Sequence, residues 1–438
     1  MQKRTLIAIA VLAVVIAAVF YTLILNPTFQ EKAGWHLNQW IIRARVWLNP
    51  PEEVSFSSAP AVTPDPDVLP SPNVDSHTEV SDPAEEDSPQ ADTAPAKPTP
   101  TFPPNPESFR LVPGEYFTQH NRWNFCGPAN IAMLLSYWGW DGDPDDVARA
   151  LKPYALDKNV MPYEMAQYAS QEPGLDALVR VGGTMEAIKR LIANGYPVVV
   201  EKGPQFRDIH YHMTWMGHYQ MLNGYNDREG YFIAQDSYIH ADYEQPYDAL
   251  IDEWRSFNYT YIVIYPENEE NDVLNLLGSD ADVNQNYRNA LKMAQEEIYP
   301  LDGLNRFFAY FNYGTNLVNL KDYEGAATAY DQAFALYDDL PEDIGARPYR
   351  ILWYQTGPFF AYYYTGRYTD VIKLATENSI EMVRDDEPAL EESYYWRGKA
   401  KIAIGNQDAG VNDLLNCLSY HPGFTPCLEA LNEQGIFP

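Results

Sequence analysis

Cysteine is scarce in this sequence, because only Cys126, Cys417 and Cys427 occur among its 438 residues. No Cys-x-x-Cys pair is present, which argues against the usual structural zinc sites, so no metal is expected. An odd count fits one disulfide between Cys417 and Cys427, with Cys126 left as a reactive thiol. The alternative is that Cys417 and Cys427 are packing residues, because connectivity cannot be read from a sequence.

Basic residues are also few: Lys and Arg number 30 against 61 Asp and Glu, which gives a net charge of -31. This balance argues against nucleic-acid binding, because contact with phosphates requires clustered Lys and Arg. The acidity fits a soluble surface. The length of 438 residues predicts two folded domains with additional segments.

A mostly apolar run at residues 6–25 follows Lys3 and Arg4. About 20 such residues in a helix cross a bilayer, and no small-residue cleavage site follows them. Residues 1–26 are therefore predicted to form a retained signal anchor, a single-pass transmembrane helix in the cell membrane. The two basic residues favour a cytoplasmic N-terminus, which would place the folded domains outside the cytoplasm.

Two further segments separate this anchor from the folded part of the chain. Residues 27–49 contain several tryptophans and predict a juxtamembrane amphipathic helix in the headgroup region, with a helix packed on the folded domain as the alternative. Residues 50–106 are rich in Pro, Ser, Ala, Thr and acidic residues. Such a segment cannot bury enough apolar surface to fold, so a disordered, semi-stiff linker is predicted.

The stretch 119–139 places Cys126 at, or just before, the start of a buried helix. Apolar residues recur at helical spacing after Pro128, which suits a first turn, and Gly139 ends the run. The positive end of the helix dipole stabilises a thiolate, the form of cysteine that acts as a nucleophile. A free cysteine is more often a small buried apolar residue, so the residues around Cys126 must decide between a packing role and a nucleophilic one.

Residues 107–268 predict an α+β domain in which helices precede a mostly antiparallel sheet. The patterns predict helices at 144–151, 162–169 and 185–193, and strands at 176–181, 196–201, 218–225, 231–236 and 259–265.

His218 stands at the start of one predicted strand and Asp236 at the end of the next. Pairing of these strands would bring the two side chains together at one end of the sheet. With Cys126 they would form a triad in which the imidazole takes the thiol proton and the carboxylate orients the imidazole. Gln119 could stabilise an oxyanion together with the Cys126 backbone N–H.

These motifs resemble the papain-like cysteine peptidases that process double-glycine leader peptides of bacteriocins, and more closely their stand-alone relatives. The resemblance rests on the Cys-Gly-Pro helix start, on Gly217-His218-Tyr219 and on Asp236. It implies Cys126 as nucleophile, His218 as base, Asp236 as orienting acid and Gln119 as oxyanion donor, with no cofactor and a peptide or protein substrate. Where the family has its glutamine, this sequence has His120, and Gln119 lies one residue further from the cysteine. Ser237 follows Asp236 at the position where the family usually has proline.

Alternatives remain open at this point. The domain could be an inactive peptide-binding adaptor, or an acyl transferase of transglutaminase or amidase type with the same triad. His210, His212 and His218 could bind a metal, although no carboxylate or cysteine spacing accompanies them. Asp227 is a rival third member of the triad, but an Asn-Asp pair is typical of a hairpin turn.

Residues 284–438 resemble tetratricopeptide helical repeats, which predicts an all-α second domain. Small residues let paired helices approach closely and aromatic residues fill the gap to the next pair. Such arrays commonly bind extended peptides, and a scaffold packed on the peptidase-like domain is the alternative. The matching positions are Gly314, Tyr323, Ala326, Tyr330 and Ala333, then Tyr362, Gly366, Tyr368 and Ala375, then Tyr394, Gly398, Gly405 and Leu414.

Overall fold

The computed structural model describes residues 102–120, 122, 124–154, 157–207, 213–341, 347–383 and 389–438. The predicted anchor, the juxtamembrane segment and residues 50–101 of the predicted linker lie outside the described residues and stay predictions. Within the ranges just given, every helix is too short or too polar to cross a bilayer.

The first folded part is built on an antiparallel sheet of seven strands in the order β2-β9-β3-β6-β7-β8, with β1 paired to β6. A separate hairpin, β4-β5, stands beside it. The strands are β1 Ser108–Arg110, β2 Leu175–Arg180, β3 Val198–Lys202, β4 Gln205–Arg207, β5 Met213–Trp215, β6 His218–Asn226, β7 Tyr231–Gln235, β8 Tyr243–Pro246 and β9 Tyr261–Pro266.

Helices cover both faces of this sheet, so its central strands are buried on both sides. Val199 of β3 packs with the helices that follow Cys126, whereas Val198 and Val200 pack on the opposite face. A continuous apolar run, as in this valine segment, is what a strand buried on both faces requires. The helices are α1 Cys126–Tyr137, α2 Pro144–Leu151, α3 Pro162–Ala169, α4 Met185–Ala193 and α5 Tyr247–Arg255.

The sequence predictions for this part are confirmed to within two residues at the strand and helix boundaries. Asp143 caps α2 by accepting from the backbone N–H groups of Asp145 and Asp146, and Thr184 caps α4. The sequence analysis did not predict the short strands β1, β4, β5 and β8 or the helix α5. Strands of three or four residues are too short to show a period.

The second part is helical, as the sequence predicted, although it holds more short elements than three regular hairpins. Its helices are α6 Glu270–Leu277, α7 Val283–Ile298, α8 Gly303–Asn319, α9 Tyr323–Tyr337, α10 Ile351–Tyr354, α11 Gly357–Tyr364, α12 Tyr368–Ala375, α13 Glu391–Ala403, α14 Gln407–Tyr420 and α15 Thr425–Glu433. A π-helical turn, Thr376–Ile380, follows α12.

Small residues sit where these helices approach each other. An added Cβ at Gly314 of α8 would lie 2.9 Å from the ring of Tyr330 in α9, and one at Gly398 of α13 would lie 2.9 Å from the Gly410 carbonyl oxygen in α14. Glycine at these two positions therefore fixes how closely each helix pair packs. Cys417 and Cys427 form a disulfide between α14 and α15, which is one of the two alternatives that the sequence left open.

The helical part packs directly on the sheet part through one shared apolar core. Trp215 and Phe257 belong to the same buried cluster as Phe308 of α8. Polar contacts flank this core: the Asn258 and Asn316 side chains exchange hydrogen bonds of 2.9 and 3.0 Å. The two parts therefore meet at a tight interface, which is called the seam below.

Candidate active site

Cys126 is the first residue of α1, and a buried asparagine fixes the position of this helix start. Nδ2 of Asn130 donates to the Cys126 carbonyl oxygen at 2.9 Å and to the Tyr219 carbonyl oxygen at 2.8 Å. Tyr219 follows His218 in β6, so one side chain ties the beginning of the helix to the beginning of the strand. Cys126 itself is half-buried at this position.

His218 and Asp236 lie together at the same end of the sheet. Nε2 of His218 is 3.1 Å from both carboxylate oxygens of Asp236. The antiparallel register of β6 and β7 pairs Met221 with Gln235 and so brings the residues beyond it into contact. His218 also lies next to the Cys126 thiol, close enough to lower the pKa of that thiol against the effect of burial. Because Nε2 faces Asp236, Nδ1 is the nitrogen left for the thiol.

The Asp236 carboxylate is held by several donors besides His218. Oδ1 accepts the backbone N–H groups of Tyr238 and Ile239, each at 2.9 Å, and Oδ2 accepts from Nε2 of Gln220 at 2.7 Å. Burial opposes ionisation here, but the charge of His218 and these hydrogen bonds outweigh it. The pKa of Asp236 is therefore well below its usual value.

The pKa values of His218 and Cys126 move in opposite directions. Burial would lower the pKa of His218, but the Asp236 charge and hydrogen bonds to Asp236 and Cys126 raise it to about 9. Burial would raise the pKa of the Cys126 thiol, but the hydrogen bond and charge of His218 outweigh burial and lower it. The site therefore favours a thiolate beside an imidazolium.

Gln119 and His120 occupy different places. Oε1 of Gln119 accepts from the Ser237 hydroxyl at 2.7 Å, and its backbone N–H donates to the Ser237 carbonyl oxygen at 2.8 Å. The ring of His120 instead contacts the Tyr238 carbonyl oxygen at 2.7 Å. The role of Gln119 as oxyanion donor stays a prediction, because its contacts with Ser237 fix the side-chain oxygen and not the amide nitrogen.

Sequence reasoning missed the residues that support these side chains. Asn130 and Gln220 are polar residues in buried parts of α1 and β6, which is a signal that the sequence carried. For Ser237 the sequence showed only that it stands where the family pattern has proline. Its hydroxyl contacts Gln119 and accepts from Asn130 at 3.2 Å, so the departure from the pattern adds a hydrogen-bonded link.

Aromatic rings lie beside the imidazole and beside the residue that precedes it. The ring of Phe206 stands edge-on to His218 with centroids 5.0 Å apart, and it also packs on Tyr238. Tyr354, from α10 of the helical part, lies against Gly217, where an added Cβ would be 2.9 Å from its ring. The helical part therefore contributes a residue beside the base.

A buried carboxyl lies under the site without taking part in the triad. Glu201 of β3 lies 3.0 Å from the Tyr219 hydroxyl, and that hydroxyl also donates to the Val160 carbonyl oxygen at 2.8 Å. Burial raises the pKa of Glu201 to about 8. At neutral pH this group is therefore largely protonated and leaves Asp236 as the charged acid of the site.

Asp227, the rival acid from the sequence, does not join this cluster. The Asp227 carboxylate pairs with Lys189 at 2.7 Å and accepts from the Tyr247 hydroxyl at 2.7 Å, in the hairpin loop after β6. His210 and His212 lie outside the described residues. His218, the third histidine of the suggested metal site, is turned toward Asp236.

Residues 113–263 match the model of a family described as "Peptidase_C39 like family". One similar solved structure is that of a Bacillus anthracis protein assigned as a C39-like peptidase. It is 16% identical, with an alignment that covers 36% of this chain and 98% of that protein at a TM-score of 0.30. No curated protein matches the chain. The family match gives this part of the chain the C39-like, papain-like peptidase fold.

Proposed function

We propose that the protein is a cysteine peptidase that hydrolyses peptide bonds through Cys126, His218 and Asp236. The observation that carries this proposal is the geometry of His218: one ring nitrogen lies 3.1 Å from both Asp236 oxygens, and the same ring lies next to the Cys126 thiol and lowers its pKa against the effect of burial. The match to a C39-like peptidase family supports the same chemistry.

In the first half of the reaction, the Cys126 thiolate attacks the carbonyl carbon of the scissile peptide bond. The negative charge on the carbonyl oxygen is stabilised by the Cys126 backbone N–H, which has no acceptor within its helix, and by the Gln119 amide. His218 gives its proton to the leaving nitrogen while Asp236 holds the ring in place. The C–N bond breaks and a thioester on Cys126 remains.

In the second half, water attacks the thioester carbon and gives a proton to neutral His218. The C–S bond breaks, the peptide acid leaves, and the thiolate and imidazolium are restored. No cofactor enters these steps. Attack by an amine in place of water would make the same site an acyl transferase of transglutaminase type.

The helical part is proposed to be a tetratricopeptide-type array that forms one wall of the substrate cleft. Support comes from the contact of Tyr354 with Gly217, next to His218, and from the closely packed helix pairs at Gly314 and Gly398. This arrangement combines the two roles that the sequence left open, because a part that packs on the catalytic domain can also contact the substrate.

Location outside the cytoplasm is part of the proposal. The predicted anchor at residues 1–26 and the linker at 50–106 would tether the folded parts to the membrane. The disulfide between Cys417 and Cys427 supports an oxidising compartment, because cytosolic thiols are usually kept reduced.

The test is digestion of a peptide library by the full-length chain, followed by mass spectrometry, with Cys126→Ala as the inactive variant. Cleavage that vanishes in Cys126→Ala is expected. Peptides that bind equally to both proteins without being cut would instead identify a peptide-binding adaptor. Products joined to an added amine would identify the transferase.

A further inference from the structure

Three side chains with metal-binding atoms meet at the seam, away from the triad. Asp157 comes from the segment between α2 and α3 of the peptidase part. Glu391 begins α13, and His421 directly follows α14. One donor atom from each residue lies within 4.8 Å of the other two, and Nδ1 of His421 is 2.9 Å from Oε1 of Glu391.

The two carboxylates of this cluster are almost completely removed from water. Asp157 is 3% exposed and Glu391 is 2% exposed. A buried charge requires a partner, and two carboxylates facing each other increase that requirement. His421, which directly follows α14, supplies at the same point an imidazole nitrogen that can bind a metal.

Few groups of the protein donate a hydrogen bond to the carboxylate of Asp157, although the charges of Lys152, Lys158 and His421 act on it. Its Oδ1 accepts one backbone N–H, from Asn159 at 3.2 Å. Within the described ranges no side chain donates to Oδ2. Lys152, a buried cation beside this segment, donates to the Asp157 backbone carbonyl oxygen at 2.6 Å and not to its carboxylate. Oδ2 of Asp157 therefore has no hydrogen-bond donor among the described residues, and one carboxylate oxygen of Asp157 lies within 4.8 Å of donor atoms of Glu391 and His421.

The donor set fits zinc better than calcium or magnesium. Zinc is bound by imidazole nitrogen and carboxylate oxygen, with metal–ligand distances near 2 Å, so neighbouring ligand atoms lie about 3 Å apart. The 2.9 Å separation between His421 and Glu391 suits two neighbouring ligands. Calcium and magnesium prefer sites made of oxygen alone. Three protein ligands leave a fourth position for water.

We propose that Asp157, Glu391 and His421 bind one zinc ion that joins the helical part to the peptidase part. The ion is structural and takes no part in peptide hydrolysis. It neutralises the two facing carboxylates and replaces the missing donor at Asp157 Oδ2. The site is independent of the proposed catalysis.

The surroundings of the site connect it to the cleft. The Asp157 carbonyl oxygen accepts from Nδ2 of Asn124 at 3.2 Å, two residues before Cys126. The Lys158 backbone N–H donates to the Ala389 carbonyl oxygen at 3.3 Å across the seam. An ion that holds Asp157 and Glu391 together therefore also holds both walls of the cleft.

The test measures zinc binding to the full-length chain that carries Cys126→Ala, because the catalytic thiolate would itself bind zinc. After removal of metal with a chelator, calorimetric titration with zinc chloride is expected to show one bound equivalent. Glu391→Gln and His421→Ala should each weaken this binding at least about 100-fold. Asp413→Asn, a buried acid paired with Arg397 and Lys401, should not weaken it.

Cobalt in place of zinc gives a readout that a misfolded variant cannot imitate. Glu391→His keeps a donor atom, so it should retain one bound cobalt with shifted visible absorption bands, whereas His421→Ala should lose the bands. Absence of zinc binding in the Cys126→Ala chain overturns the proposal, and so does binding that survives His421→Ala unchanged.

Discussion

Asp236→Asn tests whether Asp236 is the group that keeps His218 charged and Cys126 ionised. A rise in the His218 pKa from 6.5 to about 9 corresponds to about 3 kcal/mol in favour of the imidazolium. Among the charges that raise it, Asp236 acts most strongly. Asparagine keeps the shape but not the charge, so burial should then lower the His218 pKa below 6.5.

The loss of the imidazolium should also change the pKa of the Cys126 thiol. Without a neighbouring imidazolium, the pKa of Cys126 should return to at least its usual value near 8.5, where roughly 3% of a thiol is ionised at pH ~7. If the thiolate dominates in the unchanged protein, alkylation at pH ~7 should therefore slow by roughly thirtyfold. The assay is the rate of iodoacetamide reaction between about pH 5 and pH 10, followed by mass spectrometry of the Cys126 peptide.

The pH dependence of alkylation reports on Cys126, and the pH dependence of peptide cleavage reports on His218. Alkylation should rise as pH passes the lowered Cys126 pKa and should not fall near pH 9, because the thiolate persists. Peptide cleavage should fall as pH rises through about 9, because His218 then lacks the proton for the leaving nitrogen. Asp227→Asn is the matched control and should leave both profiles unchanged. Equal alkylation profiles for Asp236→Asn and the unchanged protein would refute this reasoning.

Three further substitutions test other contacts. Ser237→Ala should free the Gln119 amide and lower kcat about tenfold with little change in KM, measured with a cleaved peptide; a change in KM alone would contradict this. Glu201 binds a proton in the folded state between its ordinary pKa of 4.5 and about 8, so stability falls as pH rises through that range. Glu201→Gln should thus raise the free energy of unfolding by up to about 3 kcal/mol at pH ~7 and by little at pH ~4, in urea titrations. Gly217→Ala should lower the free energy of unfolding by about 1–3 kcal/mol, because the added methyl group collides with Tyr354. Tyr354→Ala in the same chain should relieve part of that loss. Purely additive effects of the two substitutions would exclude the contact.

The local features of the site could be predicted from the sequence because each depends on a few neighbouring residues. Pro128 after Cys126 indicated a helix start, and the strand pattern placed His218 and Asp236 at element ends that the structure brings together. The same applies to Asp143 and Thr184, whose capping roles depend on the next three residues.

The supporting contacts could not be predicted because they join distant parts of the chain. Asn130 contacts Tyr219, and Tyr354 contacts Gly217, across separations that no local pattern encodes. The cluster of Asp157, Glu391 and His421 combines three elements in the same way. Sequence periodicity describes which face of an element is buried, but not which partner covers it.

The packing of Trp215 and Phe257 on the helical part has a consequence for the order in which the protein matures. A chain leaving the ribosome exposes residues 113–263 well before Phe308 and Tyr354 have been synthesised. During that interval the two aromatic side chains lack their cover and Gly217 lacks its neighbour. A nascent or truncated chain should therefore depend on chaperones until α8 and α10 have been synthesised and can cover these residues.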